Sequence, residues 1–217
     1  GDEVIIPEPF YANYNGFALA SDVNVIPITS KIEDNFALPS IHEFEKKING
    51  KTRAILLCNP CNPTGYVYSQ EEITNIANLA KKNDLFIVVD EVYREFIYTD
   101  TKHFSILEDE KFSENAILID STSKRYSLCG ARIGFIVSKN SEFIQTCLKF
   151  ALARLSPPTL ALIAVNQALN SREDYIENVI KEYYKRREVV INELSQIENI
   201  KFSNPMGAFY SIIKLPI

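Results

Sequence analysis

Six short apolar runs, separated by longer and more polar stretches, predict the strands of one sheet. They occupy residues 4–6, 24–27, 54–57, 85–90, 116–120 and 134–137. Because these runs show little alternation between apolar and polar side chains, we expect strands that are covered on both faces, as in a parallel sheet.

Three of the intervening stretches have the spacing of helices. Ser69 is a good N-cap because acidic residues follow it, and apolar positions then repeat at helical intervals as far as residue 82. Residues 158–169 and 173–197 also predict helices. Strands that alternate with helices indicate an α/β fold, in which a mostly parallel central sheet is flanked by helices.

The tail of the chain has a different pattern. Residues 201–202, a Pro–Gly turn at 204–207 and an apolar run at 209–213 predict two strands joined by a turn. Since this unit follows the long helix, we expect it to belong to a second domain.

Composition narrows the classes of partner. The chain has 217 residues and a net charge of −5, so it offers no basic surface for nucleic acid or anionic lipid. No apolar run approaches the ~20 residues that span a bilayer, and the amino end lacks a signal-peptide pattern. Because an initiator Met is also missing, we expect the sequence to begin inside a longer protein.

Cys58 and Cys61 have the C-x-x-C spacing of some redox and zinc sites. A zinc site needs a second pair of ligands, and His42 and His103 are isolated in the sequence. We therefore expect no metal site, and we expect these thiols to stay free in a reducing cytoplasm.

Candidate chemistry follows the predicted strands, because ligands bind at the carboxyl ends of the strands in parallel sheets. Asp90 ends an apolar run, where a buried carboxylate needs a positive or hydrogen-bonding partner. The same residue can also cap a helix. The turn at 59–65, with two Asn-Pro pairs and a Gly, is either a functional loop or simply a tight turn.

Lys124 follows the next run and has hydroxyl side chains just before it. Arg132 carries a guanidinium that can bind an anion through two hydrogen bonds. By themselves, these two residues have ordinary explanations as well: a surface lysine, which is the default for any single lysine, and a surface ion pair for the arginine. The aromatic residues at 10–14 either fill the core or form a stacking surface.

Together, four motifs resemble the class I/II aminotransferases, which are fold-type I enzymes that depend on pyridoxal phosphate (PLP). Residues 59–65 match the family pattern N-P-x-N-P-T-G, and residues 90–93 match D-x-x-Y. Residues 121–134 match S-x-S-K-x-(aromatic)-x-(L/M)-x-G-x-R-x-G, and residues 205–210 match P-x-G-A-F-Y. The resemblance covers nearly the whole chain, and the order of the motifs makes it specific.

The resemblance implies catalytic roles for three residues. Lys124 would form a Schiff base with the PLP aldehyde, and Asp90 would pair with the pyridine nitrogen and keep it protonated. Tyr93, together with Asn62, would hydrogen-bond the 3′-oxygen of the ring. The implied reaction transfers an amino group between an L-amino acid and a 2-oxo acid.

The resemblance also implies how the cofactor is held. Ser121, Ser123 and Arg132 would bind the phosphate, and Tyr11 would stack on the ring at a position where many members have Trp. A cytoplasmic homodimer is implied for the parent protein. Residues 1–180 would form a PLP-binding large domain, incomplete at its amino-terminal side, and residues 181–217 a connecting helix and the truncated start of a small α+β domain.

Some expectations stay open at this level. The family's amino-terminal phosphate-binding turn and the arginine that binds the substrate carboxylate find no match here, so we expect weak or no activity from these 217 residues alone. The same framework serves C–S lyases and other fold-type I enzymes, and less commonly the ligand-sensing domain of a transcription regulator. The sequence does not indicate which amino acid is the substrate.

Overall fold

A six-stranded sheet organises the fold in the computed structural model, which describes residues 1–170 and 173–216. Neighbouring strands are parallel except at one edge, where the last pair is antiparallel. The predicted mostly parallel sheet is confirmed. In chain order the strands are β1 (Asp2–Glu8), β2 (Val23–Thr29), β3 (Thr52–Cys58), β4 (Phe86–Asp90), β5 (Ala116–Ser121) and β6 (Gly134–Val137). Their spatial order is β2-β1-β3-β4-β5-β6.

Seven α-helices connect and flank these strands in the described part of the chain. They are α1 (Asn13–Ala20), α2 (Ile41–Glu45), α3 (Gln70–Lys82), α4 (Thr122–Arg125), α5 (Ser141–Arg154), α6 (Thr159–Leu169) and α7 (Glu173–Ser195). The sequence predicted α3, α6 and α7 close to these bounds. No described helix has both the length and the apolar character that a membrane span requires.

Helix α3 illustrates how sequence fixes an element and its packing. The Ser69 hydroxyl accepts a hydrogen bond from the Glu72 backbone N–H (3.2 Å), and the Glu72 carboxylate accepts one from the Ser69 N–H (2.7 Å). This capping box satisfies two groups that an uncapped helix leaves unpaired. Its apolar face, including Ile73 and Ile76, is buried in the core with Ile55 of β3 and the rest of the central strands.

The edge strand β6 corrects one expectation. Its residues are exposed on both faces, with Ile136 at 52% and Val137 at 43% of full accessibility. The apolar run therefore predicted a strand correctly but predicted its burial wrongly. The exposed apolar surface continues onto α5, where Phe150 is 74% exposed.

The tail forms a two-stranded antiparallel sheet from β7 (Lys201–Phe202) and β8 (Ile213–Lys214). The predicted second strand at 209–213 was placed too early, since only Ile213 of that run lies in β8. The domain boundary expected at residue 180 lies inside the continuous helix α7, and the division into two domains stays a prediction.

Two motifs that are far apart in the sequence meet in this tail. The carbonyl of Gly65 accepts hydrogen bonds from the N–H groups of Met206 (2.7 Å) and Gly207 (2.9 Å). Gly65 has φ +74°, and a Cβ at this position would lie 2.4 Å from Cβ of Pro205. Only glycine allows both the left-handed backbone and this close approach.

We predict that Gly65→Ala lowers the free energy of unfolding by about 2–5 kcal/mol, because it combines an unfavourable φ with overpacking against Pro205. Gly16→Ala is the matched control, since nothing lies within 4 Å of its added Cβ in α1. The control should raise stability by about 0.5–1 kcal/mol. Urea denaturation of both variants measures the effect, and equal stabilities would contradict the role assigned to Gly65.

Candidate active site

One cavity of about 1060 Å³ opens at the carboxyl ends of β3, β4 and β5. Parallel neighbours end on the same side of a sheet, so the segments that follow them converge there. The family resemblance implies that Lys124 and Asp90 bind the same cofactor, so the two must share one site. Both residues line this cavity. All eight predicted site residues contribute to the lining: Tyr11, Asn62, Asp90, Tyr93, Ser121, Ser123, Lys124 and Arg132.

The Asp90 carboxylate is mostly buried and has two hydrogen-bond donors. Tyr14 donates its hydroxyl to Oδ2 (2.7 Å), and the Val92 backbone N–H donates to Oδ1 (3.1 Å). Burial raises the pKa of Asp90, and the charge of Asp120 adds to this effect, whereas the two hydrogen bonds lower it. A cation or a charged N–H group placed in the cavity would stabilise this carboxylate.

Tyr93 lies three residues beyond Asp90, with only 3% of its surface exposed. Its hydroxyl shares a hydrogen bond of 2.8 Å with the hydroxyl of Tyr210. Burial, followed by this hydrogen bond, raises the pKa of Tyr93 well above its ordinary value. The phenol is therefore neutral at physiological pH and can donate its proton to an oxygen in the cavity.

Asn62 reaches the same cavity from the turn after β3. Backbone hydrogen bonds close this turn, from the Cys61 N–H to the Tyr66 carbonyl (2.8 Å) and from the Gly65 N–H to the Cys61 carbonyl (2.9 Å). Asn59 also stabilises this turn, because its side-chain oxygen accepts a hydrogen bond from the Tyr68 N–H (2.9 Å). The turn predicted from the Asn-Pro pairs thus holds an amide group at the cavity wall.

Hydroxyl groups and a guanidinium line the part of the cavity next to α4. Ser121 caps this short helix by accepting from the Ser123 N–H (3.0 Å), and the two hydroxyls lie 2.8 Å apart. Arg132 has a left-handed backbone (φ 58°) and donates one N–H to the Cys129 carbonyl (2.9 Å). A guanidinium carries five N–H donors, so this group can still bind an oxyanion.

Lys124 projects into the cavity from α4. Its Nζ lies 5.9 Å from the ring centres of both Tyr93 and Phe209. The next residue, Arg125, forms ion pairs with Asp120 (2.7 Å) and with Glu95 (2.6 Å). These two pairs connect the lysine-bearing helix to β5 and to the segment that follows Asp90.

A second buried carboxylate, Glu91, lies next to Asp90 but does not line the cavity. It accepts hydrogen bonds from the Ser105 hydroxyl (2.9 Å) and the Ile106 N–H (3.1 Å). Burial raises the pKa of Glu91 to about 7. Burial also lowers the pKa of the neighbouring His103, to about 4. These contacts fix the segment after β4 on the side opposite to the cavity residues.

Two cavity residues, Tyr14 and Tyr210, lie in stretches that the sequence analysis singled out, but it gave neither of them a role. Tyr14 follows Tyr11 by three residues at the start of α1, and that helical spacing is the signal that could have identified it. Tyr210 ends the P-x-G-A-F-Y motif, but its contact with Tyr93 spans 117 residues and leaves no local pattern.

Cys58 and Cys61 are both buried and free. Burial raises the pKa of each thiol, which keeps the thiols protonated and poor as metal ligands. Within residues 1–170 and 173–216, no group of three or more His, Cys, Asp or Glu side chains is arranged to hold a metal ion.

Comparison with known proteins identifies what this chain is similar to. The family model described as "Aminotransferase class I and II" matches residues 1–216. An aspartate aminotransferase from Pyrococcus horikoshii is 36% identical over 213 residues, which is 97% of this chain and 54% of the relative. One from Bacillus sp. strain YM-2 has the same identity and coverage. The chain thus spans about half the length of these relatives.

Solved structures of aminotransferases show the same similarity. An aromatic aminotransferase from Pyrococcus horikoshii superposes with a TM-score of 0.89 at 32% identity, over 96% of this chain and 56% of that one. The aspartate aminotransferase from Thermus thermophilus with maleate gives 0.90 at 27% identity, over 98% and 55%.

We predict that Tyr14→Phe raises the pKa of Asp90 further, because it removes the hydrogen bond that opposes the effect of burial. Titration of the Asp90 carboxyl carbon by NMR, without added ligands, measures this shift. Tyr11→Phe is the matched control, since the Tyr11 hydroxyl bonds to Asn13 (2.7 Å) and not to Asp90. An unchanged titration in Tyr14→Phe, or an equal shift in the control, would contradict the assignment.

Proposed function

The chain belongs to the class I and II aminotransferases, and we propose that the complete protein transfers an amino group between an L-amino acid and a 2-oxo acid with PLP as cofactor. The observation that carries the proposal is the common cavity of Lys124 and Asp90. An amine and a buried carboxylate in one cavity suit a cofactor with an aldehyde and a basic ring nitrogen. The named relatives support this reaction class.

The cavity residues fit the cofactor at each of its polar groups. Asp90 has a carboxylate that lacks a cationic neighbour among its hydrogen-bond partners, and a protonated ring nitrogen would provide one. Ser121, Ser123 and Arg132 offer hydroxyl and guanidinium donors for a phosphate. When bound, the cofactor supplies the electron sink that the reaction needs.

Lys124 has two roles in this proposal. Its Nζ would bond covalently to the cofactor aldehyde, with loss of water, and so hold the cofactor. As a free amine, the same Nζ would accept the proton that leaves the substrate Cα. The rings of Tyr93 and Phe209, whose centres each lie 5.9 Å from Nζ, border this amine.

The other predicted residues tune and orient the cofactor. Tyr93 and Asn62 would donate hydrogen bonds to the ring oxygen and stabilise its negative charge. Tyr11, which is 38% exposed and lines the cavity, would offer its ring as a stacking surface. Asp90 would keep the ring nitrogen protonated, which makes the ring a better acceptor of electrons.

The proposal extends to the complete protein as a cytoplasmic homodimer. The identity of the amino acid is tested by incubating that protein and PLP with a panel of L-amino acids and 2-oxoglutarate. We expect glutamate to form with at least one of them. Pyruvate release from cystathionine without glutamate formation would overturn the proposal and indicate a C–S lyase.

We predict that Lys124→Ala abolishes both amino transfer and the absorbance band of the lysine–cofactor C=N bond, because no other residue is proposed to bond the cofactor. Lys124→Arg keeps the positive charge but cannot condense with an aldehyde under these conditions, so it should lose both as well. Amino-transfer assays and absorbance spectra of the complete protein measure these effects. Lys139→Ala, an exposed lysine paired with Glu110, is the control and should keep both. A retained C=N absorbance band in Lys124→Arg would contradict the covalent role.

We predict that Asp90→Asn lowers kcat by at least about 100-fold, the size expected when one partner of a buried ion pair is removed.

The same change should stabilise the cofactor-free protein at neutral pH. Asp90 has a raised pKa in the folded state, so ionising it above the unfolded pKa of roughly 4 costs folding stability. Asparagine can keep both contacts: its oxygen accepts from the Val92 N–H, and its NH₂ group donates to the Tyr14 hydroxyl oxygen.

Thermal unfolding of the cofactor-free protein across pH checks the second half of this prediction. The gain in Asp90→Asn should be absent at acid pH, where Asp90 is protonated in both states, and should grow as pH rises through the folded pKa. A variant that is less stable than the parent at pH 7 would show that the Asp90 charge stabilises the empty site.

A further inference from the structure

The proposed reaction gives Tyr93 a task but gives none to Tyr210, the residue that its hydroxyl contacts. Tyr93 comes from the segment after β4, and Tyr210 from the tail 117 residues later. The hydroxyls lie 2.8 Å apart, the rings meet edge to face at 5.7 Å between centres, and both residues line the cavity. The tail therefore contributes a polar group to a site built otherwise on the large sheet.

The tail is held firmly enough to position this hydroxyl. The Ala208 N–H donates to the Phe96 carbonyl (2.9 Å), and the Tyr98 hydroxyl donates to the Ala208 carbonyl (2.5 Å). A Cβ on Gly207 would lie 2.7 Å from the Phe96 carbonyl oxygen, so the two backbones are in close contact. These contacts fix the backbone two residues before Tyr210.

Counting protons gives the hydrogen bond a direction. A phenol has one donor proton and can accept hydrogen bonds with its lone pairs. If the Tyr93 proton goes to the ring oxygen of the cofactor, Tyr93 must be the acceptor in its bond with Tyr210. We infer that Tyr210 is a positioning residue, whose hydroxyl donates to Tyr93 and thereby directs the Tyr93 proton toward the cofactor ring oxygen. This inference rests on the proposed function.

The surroundings of the pair support this direction. The ring of Phe209 packs edge to face on the ring of Tyr93, with 5.1 Å between the centres, and helps to hold that ring in place. The titratable groups that face Tyr93, besides Tyr210, are Cys58 at the end of β3, Asp90 at the end of β4 and Lys124 in α4. Hydrogen bonds in series strengthen one another, so a donor to Tyr93 makes it a better donor to the cofactor.

The test compares Tyr210→Phe with Tyr184→Phe in the complete protein loaded with PLP. Both changes remove one phenol hydroxyl, but Tyr210 bonds to Tyr93, whereas Tyr184 is 44% exposed in α7 and does not line the cavity. The readout is the pH midpoint at which the absorbance of the bound cofactor changes. Loss of the Tyr210 donor should raise this midpoint by about 0.5 pH unit, since the ring oxygen then holds its negative charge less well. Tyr184→Phe should leave it unchanged.

A third variant asks whether Tyr210 acts through Tyr93. In a Tyr93→Phe background, Tyr210→Phe should produce no further shift of the midpoint. An unchanged midpoint in Tyr210→Phe, an equal shift in Tyr184→Phe, or a full further shift in the double variant would each overturn the inference. Absence of cofactor absorbance in the unsubstituted protein would instead overturn the proposed function and this inference with it.

Discussion

Burial of the Asp90 charge is the constraint on which the rest of the site depends. The carboxylate ends an apolar strand, and desolvation raises its pKa. The Tyr14 hydroxyl and the Val92 N–H offset part of this cost, and they leave the carboxylate poised for a cationic partner in the cavity. A buried carboxylate without a cation makes the empty site less stable than the filled one. Such local loss of stability is common at active sites.

Close packing of distant segments completes the cavity. The turn after β3 and the tail meet at Gly65 and Pro205, where no side chain larger than hydrogen fits. This contact brings Tyr210 to Tyr93 and Phe209 to within 5.9 Å of the Lys124 amine. The motifs that look independent along the chain are therefore parts of one packed unit. A substitution that distorts the turn should also displace the side chains that line the cavity.

The sequence predicted the sheet well, because strands covered by helices require continuous apolar runs. It missed α1 and α5, which bury one residue and none respectively, so neither shows a clear amphipathic pattern. For the same reason it misjudged β6, since an apolar run does not reveal what lies against it. Residues after strand ends were located because topology brings them together, whereas the partnerships of Tyr14 and Tyr210 depend on contacts across 76 and 117 residues.

The central claim is that the amine of residue 124 and the carboxylate of residue 90 bind opposite ends of one PLP ring. Borohydride reduction of the complete protein with PLP, followed by peptide mass spectrometry, tests it most directly, because reduction converts a lysine–cofactor C=N bond into a stable amine. The account predicts that the cofactor mass is found on the peptide that contains Lys124. Attachment to another lysine, or no attachment at all, would contradict it.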